Sequence, residues 1–184
     1  MSITDTITKE IQTLAGKKSS IVVAVCGAAD LGKSFLSEKI VTTLNSQDVS
    51  ACYLSLDSFL LPRAERIKLD ISGYQPQVYD FNTIENLIIE FKEQKSIAYF
   101  PYDHSKGENI KETVFLNPRN VLILDGLHSM YEKLRSHISF SLFIYTDDNQ
   151  LGQIRREVDL VKRKQSIEFS KKPEPIEFEN ISSM

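Results

Sequence analysis

Gly27-Ala28-Ala29-Asp30-Leu31-Gly32-Lys33-Ser34 sets two glycines on either side of four residues and follows them directly with lysine and serine. That is the spacing of a phosphate-binding loop. Glycines admit backbone conformations that turn successive N–H groups toward one point, and the helix that must follow adds its positive N-terminal end. A polyphosphate fits such a cradle. Lys33 has the reach to meet the β- and γ-phosphates of ATP, and the Ser34 hydroxyl can ligate the accompanying Mg²⁺. The cofactor-binding stretch is therefore Gly27, Ala28, Ala29, Asp30, Leu31, Gly32, Lys33, Ser34 and the adjoining Phe35. Asp30 is the unusual member, because a carboxylate beside phosphates repels them unless it points to solvent.

Two further carboxylates stand at the ends of apolar runs. Asp57 follows Ala51 to Leu56, and Asp125 follows Val121 to Leu124 with Gly126 behind it. In a parallel sheet whose phosphate loop leaves the carboxyl end of its first strand, both emerge at that same edge, where ligands bind. Phosphoryl transfer needs one carboxylate to hold the metal and often another to take the proton of the attacking hydroxyl, since the rest is positioning and charge neutralisation. Asp57 and Asp125 supply two such carboxylates, and Asp125 with Ser34 is the expected metal pair. Either aspartate alone would also serve as an ordinary cap of the turn or helix after it.

The elements that must position these residues are legible from periodicity. Ile21 to Cys26 is a continuous β-branched run, the pattern of a strand buried on both faces. Lys33 to about Asn45 reads as a helix with Phe35, Leu36, Ile40, Val41 and Leu44 as its apolar stripe. Ala51–Leu56 is a second buried strand, Val121–Leu124 and Phe140–Tyr145 are further apolar strand runs, Ile97–Tyr102 is another strand candidate, and Phe81–Glu93 and Leu151–Lys164 read as helices. Ile3, Ile7, Ile11 and Leu14 recur at near-helical spacing and suggest an opening amphipathic helix. The stretch holding Pro62, Gly73 and Pro76 reads as loop or broken helix. Strands alternating with helices predict an α/β fold, a three-layer P-loop sandwich whose mostly parallel sheet carries helices on both faces.

The chain has 184 residues, enough for a single domain over 1–184. Net charge of −3 provides no field to attract a nucleic-acid backbone, despite the local cluster Lys162, Arg163 and Lys164. No secretory signal and no apolar run of bilayer length is present, so a cytoplasmic protein away from membranes is expected. Cys26 and Cys52 each lie in an apolar run and read as inert buried thiols.

At this level of detail the chain resembles the uridine kinase and phosphoribulokinase family of P-loop kinases, from about Ile21 to Gln165. Tyr53-Leu54-Ser55-Leu56-Asp57-Ser58-Phe59 resembles the strand ending in the family's Asp-x-Phe segment, which implies Asp57 as general base. Tyr79-Asp80-Phe81 resembles the Phe-Asp start of its next helix. Pro101-Tyr102-Asp103-His104-Ser105-Lys106 resembles the segment that borders the nucleoside, implying that Tyr102 and His104, with Asp57 and Asp125, contact a small-molecule acceptor such as a pyrimidine nucleoside. Arg155, Asp159 and Arg163 resemble the arginine-rich lid, about 150–166, whose arginines close over the transferring phosphate; a solvated ion-pair ladder would show the same spacing. A short tail, 167–184, follows.

The chain departs from the family where acceptor identity is decided. Leu60 stands where a tyrosine is usual, the spacing from Tyr102-Asp103 to His104 is shortened, and Ile154 stands where the lid's leading arginine is usual; Asp125-Gly126 matches the place where the family usually has Glu-Gly. The resemblance thus implies an ATP-dependent small-molecule kinase, with ribulose phosphate, pantothenate or glycerate as other acceptors, a homo-oligomer left open, and a catalytically degenerate nucleotide-binding module as the competing class. His128 could line the site or fill a loop, and His137 reads as a surface residue.

Overall fold

In the computed structural model, residues 2–161 are described. The order of elements is α1 (Ile3–Ala15), β1 (Ile21–Gly27), α2 (Lys33–Ser46), β2 (Ala51–Ser55), a 3₁₀ turn (Leu56–Phe59) and α3 (Arg63–Lys68), then a second 3₁₀ turn (Pro76–Val78) and α4 (Phe81–Lys92). There follow β3 (Ile97–Tyr99), β4 (Tyr102–Asp103), β5 (Glu108–Asn109), β6 (Val114–Leu116), β7 (Val121–Asp125), α5 (Glu132–Arg135), β8 (Phe140–Ile144) and α6 (Asp148–Val161).

The main sheet is four-stranded in the order β2-β7-β1-β8, and every pairing in it is parallel. Side chains alternate across a strand, so each strand feeds two cores. Val22, Leu122, Leu124, Cys52 and Leu54 pack with Ile84, Leu87, Ile88 and Phe91 of α4 on one face. Ile21, Val23, Val25, Val121 and Ile123 pack with Ile11 of α1 and Ile40 and Leu44 of α2 on the other. These are the three expected layers. β1 and β7 are buried along their whole length, which is why they read as unbroken apolar runs rather than alternating ones.

Two expectations change. The expected strand Ile97–Tyr102 is split: β3 pairs antiparallel with β6 and β4 with β5, both outside the main sheet. Pro101 stands between the halves and has no N–H to continue a ladder. Phe35, expected in the apolar stripe of α2, is 73% exposed, because the first turn of that helix projects beyond the sheet edge as part of the phosphate loop. Cys26 and Cys52 are free and buried. The tail 167–184 and the lid residues beyond Val161, Arg163 among them, lie outside the described residues. Among those described, no helix is long and apolar enough to cross a membrane.

Candidate functional site

The phosphate loop leaves β1 at Gly27, where the sheet itself demands glycine. Its φ is 140°, and a Cβ there would stand 2.1 Å from the Ile144 carbonyl oxygen of the neighbouring strand. Gly32, with φ 78°, is the N-cap of α2. Asp30 adopts φ 66°, a left-handed conformation that aspartate tolerates better than most residues. Lys33 opens the helix and folds back so that Nζ donates to the Ala28 carbonyl at 2.8 Å. Burial pushes its ammonium below the usual lysine range, and the charges of Asp125 and Asp57 work against that shift.

Asp125 ends β7 at the same edge and is only 2% exposed. Its Oδ2 accepts from Ser34 Oγ at 2.7 Å and from the Tyr53 hydroxyl at 2.9 Å. Its Oδ1 is buried without a hydrogen-bond partner. Burial raises the Asp125 carboxyl above the ordinary range, while the two hydroxyls and Lys33 pull it back. A buried, orphaned carboxylate oxygen beside a serine hydroxyl is a donor set suited to a hard cation. Mg²⁺ characteristically takes one or two protein ligands and completes its shell with water and phosphate oxygens. Ser34 and Asp125 therefore fit Mg²⁺. Among the described residues no cluster of three or more His, Cys, Asp or Glu side chains could hold a metal by itself.

Next to this pair opens a cleft of about 240 Å³, lined by Ser34, Tyr53, Asp57, Tyr99, Tyr102 and His104 among others. Asp57 is placed by the 3₁₀ turn after β2, where its N–H donates to Ser55 Oγ at 3.3 Å. Tyr102 and His104 come from the β4–β5 hairpin, and their rings meet edge to face at 5.1 Å. His104 Nε2 lies 3.2 Å from Asp57 Oδ2. The hairpin turn is shaped by Asp103, whose Oδ1 accepts from the Ser105 hydroxyl at 2.5 Å and the Ser105 N–H at 2.9 Å. Those bonds hold the Asp103 carboxyl below its ordinary range.

Two residues outside the expected site secure this hairpin. Arg66 donates through Nη2 to the Tyr102 hydroxyl at 2.9 Å, and Arg63 through Nη2 to the His104 carbonyl at 2.5 Å. Both belong to α3, inside a stretch read as loop or broken helix. Their spacing of three residues on one helical face was the available signal. Tyr53 was read only as part of a buried strand.

Other residues are placed elsewhere. His128 is fully buried, with Nε2 2.8 Å from the Tyr74 carbonyl and rings of Tyr79 and Phe81 against it, so it fills the core behind the Asp125-Gly126 turn. His137 is half-buried beside Glu85 at 3.3 Å instead of at the open surface. Leu60 is buried and bridged to Tyr79. Arg155 is 4% exposed with its guanidinium 6.0 Å from the centre of the Tyr74 ring; it is not among the residues lining the cleft.

The model of the phosphoribulokinase / uridine kinase family matches residues 22–171. Uridine-cytidine kinase B of Dictyostelium discoideum is 25% identical over 82% of this chain, which spans 63% of that relative's length. A uridine kinase of Lactobacillus helveticus is 23% identical over 80% of this chain and 72% of its own. A solved structure from Silicibacter sp. TM1040, provisionally described as a fructose transport system kinase, superposes with a TM-score of 0.81 at 18% identity, covering 92% of this chain and 86% of that one. At that identity the likeness speaks for the fold.

Proposed function

Because this chain belongs to the phosphoribulokinase and uridine kinase family, we propose that it moves the γ-phosphoryl of ATP onto a hydroxyl of a small metabolite, with uridine or cytidine as acceptor. One observation carries the reading: a single cleft is bordered by Ser34 of the phosphate loop, by the Asp57 carboxylate and by the Tyr102 and His104 rings. An acceptor bound there has a base for its hydroxyl and a phosphate donor within the same small volume. At about 240 Å³ the cleft is a little below the roughly 300–1,000 Å³ of pockets for drug-sized ligands, which suits a small metabolite.

In this mechanism Asp57 accepts the proton of the acceptor hydroxyl as its oxygen bonds to the γ-phosphorus, and the bond from phosphorus to the β–γ bridging oxygen breaks toward ADP. Lys33 turns from Ala28 to the β- and γ-phosphates. Ser34 and Asp125 would hold Mg²⁺, which would supply charge neutralisation at the phosphate oxygens. His104 steadies Asp57 through their close pairing, and the Tyr102 ring supplies a flat wall for a base. Arg155 and Arg163 act as lid arginines, Arg155 exchanging the Tyr74 ring for the transferring phosphate on closure.

The test is ADP release in a coupled assay with uridine, cytidine, ribulose phosphate, pantothenate and glycerate offered separately. Pyrimidine nucleosides should stimulate release above the rate with water alone. Stimulation by another acceptor only would reassign the substrate. If none stimulates while ATP still binds, the chain is a nucleotide-binding module rather than a kinase.

A further inference from the structure

Two hydroxyls converge on one oxygen of a buried carboxylate: Ser34 Oγ at 2.7 Å and the Tyr53 hydroxyl at 2.9 Å, both on Asp125 Oδ2. We infer that Tyr53 is a positioning residue for the divalent cation that accompanies the nucleotide, acting through Asp125; the inference rests on the proposed phosphate site.

A serine hydroxyl has one hydrogen and two lone-pair sites. With its hydrogen committed to Asp125 Oδ2, Ser34 turns lone pairs away from the carboxylate, where a cation can take them. The Tyr53 phenol adds a second donor to that same oxygen. A carboxylate held by two donors on one oxygen has its orientation settled, and the other oxygen, Oδ1, stays buried with no hydrogen-bond partner. A buried acceptor in that state costs roughly 1–3 kcal/mol and calls for a reason. A cation beside Ser34 supplies one. Partners that orient a ligating carboxylate from behind are a general feature of metal sites, and their loss typically costs about 10- to 100-fold in metal affinity or activity.

Position explains why this task falls to tyrosine. On the paired strands β2 and β7, Ser55 is level with Asp125 and Tyr53 with Ile123. Tyr53 therefore starts two residues short of the carboxylate, about 7 Å back along the strand. A serine or threonine at that point would not reach. A phenylalanine would span the distance with nothing to donate. Burial of the ring alone would account for a large apolar side chain in this strand, but not for a hydroxyl aimed at the one buried carboxylate of the site. The same ring also lines the cleft, so Tyr53 joins the cation side of the site to the acceptor side.

The test compares wild type with Tyr53→Phe, measuring ATP affinity by isothermal titration in excess EDTA and again in saturating Mg²⁺, with no acceptor present. The inference requires the tightening of ATP binding by Mg²⁺ to fall by about tenfold or more in Tyr53→Phe. Metal-free ATP affinity should match wild type, which a general loosening of the site would not predict. In an Asp125→Asn background the Tyr53→Phe change should have no further effect on the Mg²⁺ response. Equal Mg²⁺ tightening in wild type and Tyr53→Phe, or an equal loss with and without metal, overturns the inference while leaving the phosphate site intact. Failure of wild type to bind ATP under either condition would instead sink the site on which it rests.

Discussion

His104 Nε2 stands 3.2 Å from Asp57 Oδ2, which makes an exposed histidine from one hairpin the near neighbour of a carboxylate in the 3₁₀ turn that follows β2. If Asp57 is the base, Asp57→Asn should keep ATP affinity and lose roughly 10²- to 10⁴-fold in turnover, because an amide cannot take the proton. His104→Ala, and separately Tyr102→Ala, should worsen acceptor kinetics by about tenfold, or about 1.4 kcal/mol, and leave the Michaelis constant for ATP nearly unchanged. His104 is too open to solvent for the pairing to matter to stability. Steady-state kinetics with each substrate varied in turn will check this; wild-type turnover by Asp57→Asn would move the base elsewhere.

Lys33→Ala removes the only lysine of the phosphate loop. Hydrogen bonds to charged groups contribute about 1.5–3 kcal/mol each, so ATP binding should weaken by at least about tenfold and turnover should vanish. Titration calorimetry settles the first part and the ADP assay the second. Undiminished ATP affinity would refute the phosphate-loop assignment.

His128 links folding to pH. It is fully buried, its Nε2 faces the Tyr74 carbonyl and so carries the proton, and its Nδ1 has no hydrogen-bond partner. Burial lowers its pKa from the ordinary 6.5. A depressed histidine leaves the unfolded chain binding more protons as pH falls, so its contribution is intact above about pH 6.5 and is lost progressively below it. Thermal melts of wild type at stepped pH should fall below pH 6.5 more steeply than those of His128→Gln. Parallel curves would show that another group controls the acid limb.

The two loop glycines should differ in cost for different reasons. Gly32→Ala meets no atom within 4 Å and bears only left-handed strain, about 1–2 kcal/mol. Gly27→Ala adds a Cβ at 2.1 Å from the Ile144 carbonyl oxygen, a backbone atom that moves only with strand β8. Its loss of stability in urea titration should be clearly the larger of the two. Equal losses would mean that β8 yields more easily than its pairing suggests.

Much of this protein was determined by short stretches of sequence. The phosphate loop needs only glycines, a lysine and a serine at fixed intervals, because its cradle is made of successive backbone N–H groups. β1 and β7 show as unbroken apolar runs because burial on both faces leaves no position for a polar residue. Asp57 and Asp125 could be assigned to one edge because parallel strands end on the same side.

Other features were decided by the tertiary structure, since they depend on residues far apart in the chain. The order β2-β7-β1-β8 brings Tyr53 beside Asp125, and no local pattern distinguishes a tyrosine that packs from one whose hydroxyl meets a carboxylate on the next strand. Arg63 and Arg66 acquire a task only when the β4–β5 hairpin folds back onto α3. Phe35 and His128 were misplaced or left open for a related reason. Periodicity tells which face of a helix is apolar, but where the sheet ends and which loops cover its edge determine whether a given side chain is buried, and both follow from packing among all the layers at once.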